Sequence, residues 1–251
     1  MTDAPTACLI IIGDEILSGR TQDANLKFFG ERLAAMGIRL KEARVIPDVA
    51  DVIVETLNTV RALYTYVFTT GGIGPTHDDI TTMCVARAFG RTVIKHPEAV
   101  RRLVAFYGHM PNEARLRMAE VPDGPGVDLI DNRVSAAPGY RIGNVFVMAG
   151  VPSIAAVMFD AAAPMLQRGD PVFSNHVEAD VKEGDMAAEL TDIQARYPHV
   201  SIGSYPSMRG GKYCTSIVAR ATDKSAIEKA LSEVATLMKK LGGVPEMGSL
   251  S

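Results

Sequence analysis

The chain has 251 residues, 47% apolar and 6% aromatic with no Trp, and its 26 Lys and Arg against 29 Asp and Glu leave a formal charge of −3. A chain of this length buries roughly three quarters of its unfolded surface, so it needs no disulfide or structural zinc, and Cys8, Cys84 and Cys214 read as buried free thiols. The charge balance, without a basic stripe, excludes an ordinary nucleic-acid binder. No apolar run is long enough to span a membrane, and no basic residue precedes Arg20 to start a secretory signal, so the cytoplasm is the expected compartment.

The chain opens with the continuous apolar run Ala7–Ile12, the pattern of a strand covered on both faces. Leu26, Phe29, Leu33 and Met36 recur at helical spacing before Gly37. A strand over Lys41–Ile46 follows, then a helix marked by Val49, Val52, Ile53, Leu57, Val60 and Leu63, with Asp48 as its expected N-cap. A third strand, Tyr66–Thr70, runs into Gly71-Gly72, and Ile80–Phe89 reads as the next helix. Such alternation predicts a parallel sheet with right-handed crossovers.

Proline-led helices are predicted over Pro97–Tyr107 and Pro111–Ala119, then short strands near Asp128–Ile130, Gly139–Ile142 and Val145–Met148. Gly143-Asn144 joins the last two as a hairpin turn. A helix over Ser153–Met165 closes a first domain, residues 1–166. Beyond Gln167–Pro171 the pattern is strand Val172–Val181, helix Asp185–Tyr197, strands Val200–Ser204 and Tyr213–Ala219, and helix Ser225–Leu241. This is a small α+β domain over residues 171–243, and residues 244–251 are expected to be a frayed tail.

The sharpest motif is Thr70-Gly71-Gly72-Ile73-Gly74-Pro75-Thr76-His77-Asp78-Asp79-Ile80-Thr81. It falls at the carboxyl end of a central strand, where open α/β sheets bind ligands, and its glycines let main-chain N–H groups approach an anion. A plain glycine turn, with Asp79 capping the next helix, is the alternative. Two carboxylates, Asp78 and Asp79, would repel a bare phosphate, and a shared divalent cation such as Mg²⁺ resolves the conflict. Asp14 and Glu15, after the first strand, fall on the same sheet edge and are candidates for a metal or a ribose hydroxyl, or for helix caps. Asn25 is a candidate for a phosphate or a base. The loops Ser135–Gly139, with Pro138 and Gly139, and Ala149–Ser153, with Pro152 and Ser153, either wall a pocket or are ordinary turns, and Ser153 is placed to cap the helix after it.

Gly13-Asp14-Glu15-Ile16-Leu17-Ser18-Gly19-Arg20, Asn25, the Gly-Gly to Asp-Asp run, Val121-Pro122, Ala137-Pro138-Gly139 and Gly150-Val151-Pro152-Ser153 together resemble the molybdopterin-binding (MoaB/MogA-like) domain in its CinA form. The match covers about Ala7–Met165. The tail with Ile202-Gly203-Ser204-Tyr205-Pro206 is similar to the extension that follows this domain in CinA relatives and bifunctional FAD synthases. The resemblance implies a three-layer α/β/α fold with a mostly parallel sheet, a pocket at the Gly-Gly loop, and Asp79 as the acidic catalytic or metal position. It implies either recognition of molybdopterin or metal-dependent (Mg²⁺, Mn²⁺ or Co²⁺) cleavage of a nucleotide diphosphate such as ADP-ribose or FAD. It also implies a homo-oligomer, dimer or trimer, and the CinA name adds a competence- or damage-related interaction role. Asp78 stands where molybdopterin-pathway enzymes carry a basic residue, which favours the CinA branch, and Ile154 replaces a Glu found in many CinA proteins.

Overall fold

A computed structural model describes residues 4–249, Lys212 by its main chain alone, and divides the chain into two compact units. The first comprises residues up to Leu33 with Gly37–Gly169; the second comprises Ala34–Met36 with the chain from Asp170.

In the first unit the chain runs β1 (Thr6–Ile12), α1 (Asp14–Leu17), α2 (Asn25–Ala35), β2 (Arg39–Ile46), α3 (Ala50–Leu63), β3 (Tyr66–Thr70) and α4 (Thr81–Ala88). It continues through β4 (Val93–Lys95), α5 (Pro97–Tyr107), α6 (Glu113–Leu116), β5 (Glu120–Pro122), β6 (Val127–Ile130), β7 (Gly139–Ile142), β8 (Val145–Met148) and α7 (Pro152–Ala162). Six strands form one sheet in the order β2-β1-β3-β8-β7-β6, parallel from β2 to β8 and antiparallel beyond. The change of direction is made at the Gly143-Asn144 turn. There Gly143 takes φ +58° and the Asn144 amide donates to the Arg61 and Tyr64 carbonyls at the end of α3.

The covered strands explain the unbroken apolar runs. Cys8, Ile10 and Ile12 of β1 pack with Ile53, Leu57 and Val60 of α3 and with Cys84 and Val85 of α4. On the other face Phe29 of α2, Phe68 of β3, Phe146 of β8 and Phe159 of α7 stack with centroids 5.1–5.8 Å apart. Helices on both sides of a mostly parallel sheet make three layers. All three cysteines are free and buried, and no helix among the described residues is long and apolar enough to cross a membrane.

Several capping expectations are corrected. Asp48 does not cap α3, whose cap position is Val49; its carboxylate instead accepts from the Asp14 N–H at 3.0 Å. Ser153 does not cap α7, because Pro152 already occupies its first turn behind Val151. The predicted helix at Pro111 starts only at Glu113, where Asn112 caps by accepting from the Arg115 N–H, and it tightens into a 3-10 turn over Arg117–Ala119.

The second unit has β9 (Phe173–Ala179), α8 (Glu183–Arg196), β10 (Ser201–Arg209), β11 (Lys212–Ala221), α9 (Lys224–Lys240) and β12 (Glu246–Met247), with sheet order β10-β11-β9-β12. Its antiparallel strands alternate, Val177 and Ala179 with Ile217 and Ala219 facing a core completed by Ile227, Leu231 and Val234 of α9. Within the tail expected to fray, Glu246 and Met247 pair with Glu178 and Val177 of β9. Residues 250–251 lie outside the described part.

Candidate functional site

The register aligns Ile11, Thr70 and Met148, so the carboxyl ends of β1, β3 and β8 finish together and their loops meet. Gly71 and Gly72 hold φ of +103° and +68°, a region where any side chain is strained. A Cβ on Gly71 would stand 2.1 Å from the Ile12 carbonyl oxygen, and one on Gly72 2.1 Å from Thr81 Oγ1. Buried Thr81 locks the loop: its hydroxyl donates to the Gly71 carbonyl at 3.0 Å and its N–H to the Gly72 carbonyl at 2.9 Å. The glycines are therefore required first by the loop's own packing. What the loop then offers outward is the N–H groups of Gly72, Ile73 and Gly74, which donate to no acceptor among the described residues.

A second loop closes on the first. A Cβ on Gly150 would lie 3.2 Å from the Gly71 Cα, and exposed Pro152 and Ser153 follow at the start of α7. Asn25, at the start of α2, is 3% exposed and donates its amide N–H to the Gly150 carbonyl at 2.8 Å, while its Oδ1 has no partner. A carbonyl only accepts, so this fixes the amide orientation. Asn25 thus anchors the Gly150 loop to the start of α2 with one of the two N–H groups of its amide. The Thr69 and Thr70 hydroxyls at the end of β3 are buried and also unpartnered.

The acids separate into two groups. Asp14 and Glu15 begin α1, and Asp48 joins them through the Asp14 N–H. Burial raises the Asp48 carboxyl above its usual range, opposed by that bond and reinforced by the charges of Asp14, Glu15 and Asp78. Asp79 turns into its own loop instead. Its Oδ2 accepts from the Thr76 N–H at 2.7 Å and the Thr76 hydroxyl at 2.5 Å, and Oδ1 stays free. Asp79 is thus not the cap of α4, whose cap position is Ile80. Exposed Asp78 is held below the usual carboxylate range, first by the Thr76 hydroxyl, then by its own N–H, with His77 and Arg117 helping at longer range. The shared Thr76 hydroxyl makes its hydrogen bond to Asp79; it acts on Asp78 by proximity. Among the described residues no three of His, Cys, Asp and Glu converge on one metal position, so Asp78, Asp79 and Glu15 do not form a protein-only cage.

Beside the loop opens a cavity of about 260 Å³, walled by Ile73, Gly74, Asp79, Arg117, Pro138 and Tyr140 among others. Pro138 lies in its wall; Gly139 does not, because a Cβ there would stand 2.5 Å from the Val147 carbonyl oxygen inside the sheet. Arg117 and Tyr140 are the site residues that sequence reasoning missed. Arg117 donates to the Thr76 carbonyl at 2.6 Å and the Asp79 carbonyl at 3.0 Å, holding the acidic loop from outside. Tyr140 is 1% exposed, and its hydroxyl has no partner of hydrogen-bonding geometry. Burial pushes the phenol up and the neighbouring Thr82 hydroxyl pulls the other way. Neither residue lies in a motif, and only their folded positions beside the loop reveal them.

Fold and loops define an α/β ligand-binding domain with main-chain amides and carboxylates gathered at one sheet edge. Comparison with known proteins places it: residues 8–168 match the family described as "Probable molybdopterin binding domain", and residues 171–245 match "FAD synthase, middle domain". The chain belongs to the molybdopterin-binding-domain family, in its CinA-like form. A protein of Aeropyrum pernix is 34% identical over 99% of this chain and 97% of its own length. A "Probable FAD synthase" of Caenorhabditis briggsae is 29% identical over 89% of this chain, which spans only 47% of that longer protein. The crystal structure of the protein CinA from Thermoplasma acidophilum superposes with a TM-score of 0.61 at 30% identity, covering 65% of this chain and 99% of that one.

Proposed function

We propose that the protein hydrolyses the diphosphate bond of a dinucleotide-type substrate such as ADP-ribose or FAD, with a divalent cation shared between substrate and protein. The observation that carries this reading is the pairing of unbonded N–H groups at Gly72, Ile73 and Gly74 with carboxylates a few residues on. The amides take phosphate oxygens, since they donate to nothing else. Asp79 keeps one oxygen free and Asp78 is ionised, which fits a hard cation that draws most of its ligands from substrate and water. When bound, Mg²⁺, Mn²⁺ or Co²⁺ would neutralise phosphate charge and lower the pKa of a water. Thr76 and Arg117 hold Asp79 in place for this role, and Asn25 keeps the Gly150 loop against Gly71.

The test is AMP release from ADP-ribose or FAD with each of the three metals. Asp79→Asn, which keeps an acceptor for Thr76, is expected to lower the rate roughly 100-fold or more, and EDTA to abolish it. A second reading is a binding module for molybdopterin or a nucleotide without turnover, favoured by the absence, among the described residues, of three converging metal-ligating side chains. Tight binding with no AMP under any metal would establish it. Assembly as a dimer or trimer in the cytoplasm belongs to the same proposal, and light scattering on the purified protein reads the assembly. No residue of the site speaks for the competence or damage role.

A further inference from the structure

In the second unit both helices lie on one face of the sheet, where Met186 and Ile193 of α8 join the α9 residues over Val177, Ala179, Ile217 and Ala219. Alternate residues turn to the opposite face, which neither helix of the unit covers. Gly203 and Tyr205 of β10 stand there opposite Val218 and Ser216 of β11, with Arg220 of β11 opposite Ser201. Tyr205 lies flat. A Cβ on Gly203 would stand 3.0 to 3.3 Å from atoms of the Tyr205 ring, so the ring rests along its own strand over the bare glycine, and it is 49% exposed. Exposed Arg220 donates from Nη1 to the Tyr205 hydroxyl at 3.4 Å and pairs with no carboxylate among the described residues. Glu178, on the same face, is neutralised by Arg209 at 2.9 Å. On the β9 side His176 is taken up against Gly248, where a Cβ would stand 2.1 Å from its ring. What stays open is one aromatic face, half-buried Val218 beside it and one unneutralised guanidinium, on a floor of glycine and serine.

An exposed ring face takes a flat, π-bearing partner, and a guanidinium next to it takes an anion, with phosphate matching its paired N–H groups. A protein surface fits poorly, because serine is depleted at protein interfaces. A nucleic-acid strand draws its affinity from several phosphates, each met by a cation, and this face offers one free cation. We infer that this face of the second unit binds a single nucleotide, its base stacked on Tyr205 and Val218 and its phosphate held by Arg220. It lies in a different unit from the Gly-Gly loop, and the inference does not depend on the proposed hydrolysis.

The chain contains no Trp, so Tyr205→Trp in the full chain supplies a sole indole reporter at this position. Titration with AMP is expected to quench its fluorescence saturably. Adenosine, which lacks the phosphate, should need about tenfold more, and ribose 5-phosphate, which lacks the base, should leave the emission unchanged. Adding Arg220→Gln is expected to bring AMP down to the level of adenosine. Circular dichroism checks that each variant is folded. If Tyr205→Trp does not fold, amide NMR of the wild-type chain reads the same surface, with AMP-dependent shifts expected at Gly203, Tyr205, Val218 and Arg220. No saturable response to AMP would overturn the inference, as would a phosphate preference that survives Arg220→Gln. A short oligoadenylate that binds more than about a hundredfold tighter than AMP would also overturn it, in favour of a nucleic-acid strand.

Discussion

At Gly71 a methyl group meets two obstacles, a positive φ and the Ile12 carbonyl oxygen. Gly71→Ala is therefore expected to cost at least about 2 kcal/mol, read as a lowered urea midpoint, and to remove ligand binding with it. Thr81→Val keeps the shape but leaves the buried Gly71 carbonyl without its donor, and a loss of about 1–3 kcal/mol is expected in the same measurement. The thiols give a pH signature. Burial, as the largest cause, pushes Cys8 up to about 12 and Cys84 up to about 11 from an ordinary 9.0. Their folded-state values are raised, so the stability they contribute is complete below pH 9. It is lost as pH climbs through 11 to 12, because only the unfolded thiols ionise early. Denaturant midpoints measured from pH 8 to 11 should fall with pH, and should fall less steeply in a Cys8→Ala, Cys84→Ala variant. An unchanged slope would mean that these sulfurs are not sealed.

Among the elements, the turn at Gly143-Asn144 joins two tasks, reversing the chain between β7 and β8 and closing the end of α3. Asn144→Ala removes both amide bonds, and a destabilisation of about 1–2 kcal/mol is expected from the melting curve. This turn was readable from its dipeptide, and the helices and covered strands from their periodicity, because those signals are local. The caps were less so. Asp48 and Ser153 are good cap residues by type, yet Asp48 is drawn to a neighbour 34 residues away and Ser153 is pre-empted by Pro152. The short helix α1 carries too little pattern to announce itself. The Gly-Gly loop and Asn25 were legible as motifs, whereas Arg117 and Tyr140 reach the site only through tertiary packing, which no spacing encodes. The same packing takes Gly139 out of the site and turns Asp79 inward.

Across the whole molecule each unit has its own apolar core, and the second packs α9, joined by Met186 and Ile193 of α8, against a four-stranded sheet. Leu231→Ala at the centre of the α9 face is expected to cost about 2–5 kcal/mol, seen as a shift in hydrogen-exchange protection across residues 173–240. With Cys8, Cys84 and Cys214 all buried, the native chain presents no accessible thiol. Maleimide dyes should leave it unlabelled until it unfolds. A single cysteine placed at Met83, more than half exposed on the rim of the cavity, would become the sole attachment point for a fluorophore. Occupancy of the cavity could then be followed in real time without stripping out the natural residues first.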